Sequence, residues 1–268
     1  MCGCTFENTS ESLEKALRKR NTPLGTADIH IHSVHSHDGV CSIPAILKYV
    51  ADRTNLDVIA ITDHDQIGGI RQAVALAPQY GLEVIPGCEV STAEGHLLAL
   101  WIDGPIPAGR SLIETARRVA GMGGLCVVPH PEAPGISGIR AAALIAALRD
   151  PLAAQTIVGI ETFNGGLFLP HTNAAALRLA RRLGLAQLGS SDSHVLSTLG
   201  QGTTGFEGRT AADLRAALLA HATTAHACSD VTGALVLGRW FPQFCLRKLG
   251  WVVSNAAPDR PLRYERYH

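Results

Sequence analysis

Short apolar runs alternate with longer stretches of helical pattern along most of the chain. The run at residues 56–62 is continuously apolar up to its last residue, apart from Asp57, as in a strand buried on both faces. The pattern predicts strands at residues 26–32, 56–62, 82–90, 96–102, 124–128, 156–163, 186–189 and 224–228. It predicts helices at residues 44–53, 69–80, 111–122, 139–148, 173–183 and 211–221. Repeated β–α units of this kind favour an α/β barrel or a doubly wound parallel sheet.

One pair of strands breaks the β–α alternation. Residues 82–90 and 96–102 are separated only by the short segment 91–95. A parallel crossover needs about ten residues or more, so this spacing predicts a hairpin. In a hairpin the second strand starts beside the end of the first, which brings His96 next to Glu89.

The two ends of the chain differ from the repeating middle. We divide the chain into a lead-in at residues 1–25 with a short charged helix, a barrel at 26–237 and an extension at 238–268. The extension is rich in aromatic side chains, namely Trp240, Phe241, Phe244, Trp251, Tyr264 and Tyr267. We favour an extension that packs on the barrel wall. The alternative is that the extension contacts a second copy of the chain, a membrane surface or another partner. In the first of these cases the protein would form an oligomer through the extension.

Composition and charge narrow the function classes. The chain has 23 Lys and Arg against 23 Asp and Glu, and no basic block marks a nucleic-acid surface. An odd number of irregularly spaced cysteines favours a reducing compartment, although the Cys2 and Cys4 pair could bind metal if further ligands joined it. No signal-peptide pattern and no apolar stretch of about 20 residues is present. We therefore expect a cytoplasmic protein with no membrane span.

Metal-capable side chains stand at the ends of most predicted strands. His30 and His32 are two residues apart on a strand, so both imidazoles point to one face. Further side chains of this kind end or open the other strands, namely His64, Glu89, His96, His130, Asp192 and His194. Imidazole and carboxylate are the usual ligands of catalytic divalent metals. Ligands from several strand ends favour a barrel over an open sheet, which concentrates its site at one switch point.

Neighbouring carboxylates could support such a site. Asp28 is a candidate for orienting an imidazole ring, and so is either Asp63 or Asp65. Glu89 can offer its two oxygens to two ions, which suits a bridging role.

In their order, these motifs resemble the PHP superfamily, the polymerase and histidinol phosphatase domains. The matching stretches are DIHIHS at 28–33, TDHD at 62–65, PGCEVS at 86–91, HP at 130–131 and GSSDSH at 189–194. The resemblance covers residues 26–228, and the order and spacing are similar to those of small stand-alone phosphoesterases of the superfamily.

The resemblance implies a distorted (β/α)7 TIM-like barrel with two or three divalent ions. The candidates are Mn, Fe or Zn, with Mg as a further candidate, because mixed imidazole and carboxylate sites accept several metals. The implied ligands of one ion are His30, His32, Glu89 and Asp192. Those of a second ion are His64, His194 and a residue after the first motif, and those of a third are Glu89, His130 and His96. Either His37 or Asp38 can be the residue after the first motif, and we favour Asp38 because it precedes Gly39.

The resemblance also implies an enzyme, a phosphoric monoester hydrolase that acts on a small phosphorylated metabolite through a metal-activated hydroxide. Asp65, His35 and His37 are candidates for the acid that protonates the leaving alcohol. The alternatives are a nucleic-acid 3'-5' exonuclease, an amidohydrolase and a catalytically silent metal-binding domain. An amidohydrolase commonly adds a bridging lysine, and no lysine ends a predicted strand here.

Overall fold

Nine strands of the described residues form one sheet that curls into a nearly closed barrel. A computed structural model describes residues 23–135, 137–166, 171–228, 233–255 and 263–267. The strands of this sheet are β1 (Leu24–Asp28), β2 (Val58–Ile61), β3 (Glu83–Thr92), β4 (Gly95–Leu100), β5 (Leu125–Val128), β6 (Ile157–Asn164), β7 (Ala186–Ser190), β8 (Gly202–Glu207) and β9 (Thr224–Ala227). Two further strands, β10 (Trp251–Asn255) and β11 (Arg263–Arg266), form a separate hairpin.

Eight α-helices lie within the same described ranges. They are α1 (Ile43–Arg53), α2 (Ile70–Leu76), α3 (Leu112–Gly121), α4 (Ala141–Ala147), α5 (Pro151–Thr156), α6 (His171–Leu183), α7 (Ala211–Leu219) and α8 (Gly233–Lys248). Short 3-10 turns occupy Ala77–Tyr80 and Leu196–Thr198. Among these described helices, none combines the length and the apolar character that crossing a lipid bilayer requires.

The strand order in the sheet is β7-β6-β5-β4-β3-β2-β1-β8-β9. The pairs β1–β2, β2–β3, β5–β6 and β6–β7 are parallel, whereas β4 and β8 run against their neighbours. The segments that follow β1 and β7 close the barrel, because Ile31 and Ser193 form a parallel bridge. The backbone N–H of His32 donates to the carbonyl of Ser193 at 2.9 Å. The predicted α/β, TIM-like barrel class is confirmed.

Local sequence signals explain where several helices begin and end. Pro44 lies in the first turn of α1, where its missing N–H costs nothing, and the Ser42 side chain accepts from the backbone N–H of Ala45. Ser111 and Glu114 form a capping box at the start of α3. Gly81 ends the 3-10 turn in a left-handed conformation with φ 68°, which glycine adopts without steric cost.

The predicted hairpin is confirmed. Strands β3 and β4 are antiparallel, with Glu89 opposite Leu98 and Ser91 opposite His96. The other predicted strands and helices are found with ends shifted by a few residues. Strand β1 is the clearest shift, because its regular part ends at Asp28 and leaves His30 and His32 in the segment after it.

The C-terminal region is built differently from the barrel. Its elements α8, β10 and β11 have no counterpart in the predicted pattern, and within the barrel neither do helix α5 and strand β8. Val253 of β10 is fully buried and belongs to the apolar cluster of Ile43 and Ile46 in α1, so this part of the extension packs on the barrel. The boundary drawn between residues 237 and 238 falls inside α8. The predicted helix in the lead-in and Cys2 and Cys4 lie outside the described residues.

Candidate metal centre

The carboxylate of Glu89 lies where the strand ends of the barrel converge. The residue is 1% exposed. Its Oε2 atom lies 3.0 Å from His30 Nε2, 3.3 Å from His32 Nε2 and 3.2 Å from His64 Nδ1. The backbone sets this convergence, because His64 and Glu89 form a parallel bridge just beyond β2. Three imidazoles from two strand ends therefore meet one carboxylate oxygen.

The second oxygen of Glu89 faces two more imidazoles. Glu89 Oε1 lies 2.9 Å from His96 Nδ1 and 3.1 Å from His130 Nε2. His96 reaches this position because β4 returns beside β3, as the hairpin spacing predicted. His130 follows β5 with a left-handed backbone, φ 30°, an unfavourable conformation for a residue with a side chain. The two oxygens of Glu89 thus serve two different sets of imidazoles.

Asp192 joins the first of these sets from the end of β7. Its Oδ1 atom lies 3.4 Å from His30 Nε2 and 3.2 Å from His32 Nε2. Its backbone is also left-handed, with φ 51°. Asn164, the last residue of β6, donates from Nδ2 to Asp192 Oδ2 at 3.2 Å. The strained backbone and the amide together aim one oxygen of Asp192 at the two imidazoles.

Asp38 forms the centre of a second, more exposed set. Asp38 Oδ2 lies 3.1 Å from His194 Nε2 and 3.5 Å from His64 Nε2, and Ser36 donates to its other oxygen at 2.8 Å. His37 lies farther away, with Nε2 at 3.7 Å from Asp38 Oδ2, and its side chain is 74% exposed. Of the two candidate ligands after the first motif, Asp38 lies closer to these imidazoles, and His37 lies at the rim.

The donor atoms fit divalent ions. Atoms that share an ion at about 2.1 Å from it lie about 3.0–3.4 Å from one another, and the contacts described above cover this range. Among the described residues, four sets have ligand atoms within 4.8 Å of one another: His30, His32 and Glu89; His30, His130 and Asp192; His64, Glu89 and His96; and His32, Asp38, His64 and His194.

An unsatisfied atom supports the same interpretation. His32 Nε2 is buried and makes no aligned hydrogen bond within the described chain, although carboxylate oxygens of Glu89 and Asp192 lie near it. A buried nitrogen without a partner is costly, and a bound cation would satisfy it. We call His30, His32, Glu89 and Asp192 the inner group, and Asp38, His64 and His194 the outer group.

Glu161 is a candidate site residue that the sequence analysis missed. It lies on β6, fully buried, and its Oε1 atom accepts from His30 Nδ1 at 2.8 Å. The Ser190 hydroxyl donates to the same oxygen, and Asn164 Nδ2 and the backbone N–H of His130 donate to Oε2 at 2.9 and 3.1 Å. A carboxylate on Nδ1 fixes the ring and presents Nε2 to a metal. A lone acidic residue in the apolar strand IVGIETF was the available signal.

The carboxylates proposed to orient imidazoles have other partners, so that prediction was wrong. Asp28 accepts from the backbone N–H groups of Ser191 and Gly200, each at 3.0 Å, and bonds to no imidazole ring of the described residues. Asp63 accepts from the backbone and hydroxyl of Ser33 at 2.6 and 2.7 Å. These acids hold together the segments that carry the ligands.

The three candidate acids for the leaving group differ in position. Asp65 accepts from the backbone N–H and hydroxyl of Ser91 at 2.8 and 2.7 Å, and its side chain lines the cavity above the ligands. His37 lines the same cavity. His35 instead packs against the turn after β2, since a Cβ atom at Gly69 would lie 2.9 Å from its Cδ2 atom.

The carboxylates reverse the effect of burial on the inner imidazoles. Burial favours neutral rings, but the charges of Asp192 and Glu89 outweigh it and raise the pKa of His30 well above its ordinary value. Burial also works against a charged His32, yet the same two carboxylates raise its pKa to about 10. In the outer group, burial is the largest influence on His64 and lowers its pKa. The inner group therefore carries protons at neutral pH that a metal ion would displace.

A cavity of about 540 Å³ opens above the ligands. Side chains from both groups line it, and α8 contributes Val236, Leu237 and Trp240 to the same lining. The size suits a small ligand.

Fold and site together define an α/β barrel protein with clusters of His, Asp and Glu able to bind metal ions. A family model described as the PHP domain matches residues 28–165, and one described as PHP-associated matches residues 170–223. The chain belongs to the PHP family.

Several known proteins resemble the chain. An uncharacterized protein of Methanocaldococcus jannaschii is 34% identical over 148 residues, which are 52% of this chain and 81% of that protein. A 5'-3' exoribonuclease of Haemophilus influenzae is 38% identical over 94 residues, 34% of each chain. A 3',5'-nucleoside bisphosphate phosphatase of Chromobacterium violaceum is 34% identical over 89 residues, 32% of this chain and 30% of that enzyme.

The fold recurs in a solved structure. A two-domain protein from Bacteroides vulgatus, described as containing a predicted PHP-like metal-dependent phosphoesterase, superposes with a TM-score of 0.62. The match covers 91% of this chain and 76% of that chain at 19% identity, and it supports the barrel assignment.

Proposed function

We propose that the protein is a metal-dependent phosphoesterase that hydrolyses a phosphate monoester of a small metabolite. The observation that carries the proposal is Glu89, whose two buried oxygens each face a separate set of imidazoles. This arrangement suits neighbouring divalent ions, and phosphoesterases occur among the relatives.

The proposed ligands are those of the inner and outer groups together with His96 and His130, which would hold two or three ions. Bound divalent ions would offset the negative charge of a phosphate group and lower the pKa of water at the site. Asp192 and Asn164 keep one carboxylate oxygen directed inward, and Glu161 keeps His30 Nε2 directed at the same point. The chain thus orients its own donors before a substrate arrives.

His37 is the proposed acid that protonates the leaving alcohol. Both oxygens of Asp65 already accept hydrogen bonds from Ser91, and His35 packs away from the cavity. His37 lines the cavity, is largely exposed, lies 3.7 Å from Asp38 and has its ring centroid 5.0 Å from that of His64. Its ring therefore has the freedom to reach a leaving oxygen.

The test is phosphate release by purified protein supplied with Mn²⁺, Fe²⁺, Zn²⁺ or Mg²⁺ in turn, first with p-nitrophenyl phosphate and then with a panel of phosphometabolites.

The variant His64→Ala should lower kcat at least about 100-fold while circular dichroism and Tm stay near those of the parent, because His64 connects Glu89 with Asp38. His226→Ala is the matched control, since His226 is an exposed histidine on β9. An unchanged rate in His64→Ala contradicts the ligand assignment.

A ribonuclease is the second candidate, because an exoribonuclease is among the relatives. A 5'-phosphorylated RNA oligonucleotide in the same panel separates the two. Shortening of the RNA at a rate above that of the small esters would replace the monoesterase proposal. Bound metal with no phosphate release and no RNA shortening would favour a catalytically silent domain or an amidohydrolase.

A further inference from the structure

One wall of the cavity has no role in the proposed chemistry. The ligands make up a polar floor, whereas Val236, Leu237 and Trp240 of α8 line the same cavity with apolar surface. These three residues stand within one and a half turns of α8, so they present a continuous patch. The substrate part that lies against this patch has to be apolar to gain from the contact.

The charges of the cavity lining also restrict the substrate. No lysine or arginine is found among the described residues that line it. Cations held by the carboxylates and imidazoles would neutralise one phosphate on the floor, but a second phosphate elsewhere in this cavity would meet no lysine or arginine of its described lining. A second buried anion without a partner is unfavourable. The lining therefore favours a substrate with a single phosphate.

The apolar wall is fixed to the loop that carries Asp38. Trp240 donates from Nε1 to the backbone carbonyl of Asp38 at 2.9 Å and stacks on Phe244, with ring centroids 4.5 Å apart. Arg247, at the end of α8, donates to the carbonyls of Ser36 and Gly39 at 2.5 and 2.6 Å. The position of the wall relative to the floor is thus set before a ligand binds, which reduces the entropy cost of binding.

Strand β10 adds a second attachment. The backbone N–H of Val253 donates to the carbonyl of Val40 at 3.0 Å, and the N–H of Ser42 donates to the carbonyl of Val253 at 2.8 Å. The loop between β1 and α1 is therefore held on both sides by the C-terminal region.

We propose that α8 is the specificity element of the site and selects phosphate monoesters whose organic part is apolar or aromatic and carries no second phosphate. This inference rests on the proposed function. Trp240 and Leu237 contact the organic part while the phosphate lies over the ligand floor.

The test compares two esters that release alcohols of similar reactivity, 2-phenylethyl phosphate and ethyl phosphate, with Mn²⁺-loaded protein. A phenyl ring on the wall should raise kcat/KM by about tenfold or more over the ethyl ester. Ethylene glycol bisphosphate, which carries a second phosphate in place of the ring, should be hydrolysed no faster than the ethyl ester.

A pair of leucines on α8 provides matched variants. Leu237 lines the cavity and is 44% exposed, whereas Leu235 is 45% exposed and does not line it. Leu237→Ala should lower kcat/KM for 2-phenylethyl phosphate by about fivefold and change the value for ethyl phosphate little. Leu235→Ala should leave both values within about twofold of the parent.

A binding measurement keeps the inference separate from turnover. 2-Phenylethylphosphonate, which has no ester bond to cleave, should quench tryptophan fluorescence of the Mn²⁺-loaded protein at lower concentration than ethylphosphonate. Trp240→Phe should remove most of that quenching.

The outcomes separate the two proposals. If no phosphate ester is hydrolysed, the proposed function fails, and the phosphonate pair still decides whether the wall binds an aromatic group. If esters are hydrolysed but the phenyl ring brings no gain, or if Leu237→Ala and Leu235→Ala behave alike, the specificity inference is overturned and the phosphoesterase proposal stands.

Discussion

The inner and outer groups contain the same kinds of side chain, but the fold supports them in different ways. His30, His32 and Glu89 of the inner group are at most 1% exposed, and strand ends position them. The side chains of the outer group are 12–21% exposed, and Asp38 lies on a loop held by residues of the C-terminal region. Sheet register fixes the inner group and His64, whereas contacts between distant segments fix the loop that carries Asp38. The two groups should therefore respond differently to substitution and to pH.

The largest effect should come from Glu89→Gln. This change removes the charge that faces five imidazoles of the described chain, so metal content should fall in both groups and kcat should fall by more than about 1000-fold. Metal analysis by mass spectrometry and a phosphate-release assay measure the two quantities. A variant that keeps its full metal content would show that Glu89 does not connect the groups.

Glu161→Gln should act on the inner group alone. The variant loses the charged acceptor of His30 Nδ1, and loss of such a partner commonly weakens metal binding by about 10- to 100-fold. Chelator competition measures the affinity of each ion. Glu207→Gln, an exposed position on β8, is the control. Equal weakening of all ions would contradict the independence of the two groups.

Metal binding to the inner group should depend on pH. The nearby carboxylates raise the pKa of His30 and His32 above the ordinary value, so both rings hold protons near neutrality that an ion has to displace. Affinity should fall about tenfold per displaced proton for each unit of acidification, from about pH 8 to about pH 6. Binding at the outer group should depend on pH less, because burial lowers the pKa of His64.

Isothermal titration calorimetry in buffers of different ionisation enthalpy counts the released protons. Absence of proton release at neutral pH would show that the inner imidazoles are already neutral.

The smallest of these effects should follow Arg247→Met. The carbonyls of Val34, Ser36 and Gly39 lose their guanidinium donor, so the loop that carries Asp38 gains freedom. The affinity of the weakest ion should fall about fivefold, with the inner group unaffected. Lys248→Met is the control, because Lys248 is the next residue and lies over the ring of Phe244 instead. An equal effect of both variants would remove any specific role for Arg247.

Sequence patterns predicted the floor of the site well, because its geometry is local. A strand ends where its apolar run ends, and parallel strands bring those ends together, so His64, Glu89 and His130 could be placed without coordinates. The five residues between the predicted strands at 82–90 and 96–102 were sufficient to place His96 beside Glu89. Each of these inferences needed only the period of a strand and the length of a connection.

The contacts that hold the ligand side chains in position were harder to predict from the sequence. Glu161 sits inside a strand rather than at its end, so only the sheet register shows that its carboxylate meets His30. Asp63 looked like a partner for an imidazole, but the backbone of Ser33 lies closer. The bond from Trp240 to Asp38 spans 202 positions of sequence, and no periodicity links such distant residues.

The separation of 202 positions between Trp240 and Asp38 affects when the loop that carries Asp38 acquires its contacts during translation. The carbonyls that Arg247 and Trp240 engage belong to residues translated some 200 positions earlier. At about 5–20 residues per second, a ribosome needs roughly 10–40 s to cover that distance. During this interval the loop that carries Asp38 lacks its hydrogen bonds to Trp240 and Arg247. The loop that carries Asp38 therefore gains these side-chain donors only after α8 has been made.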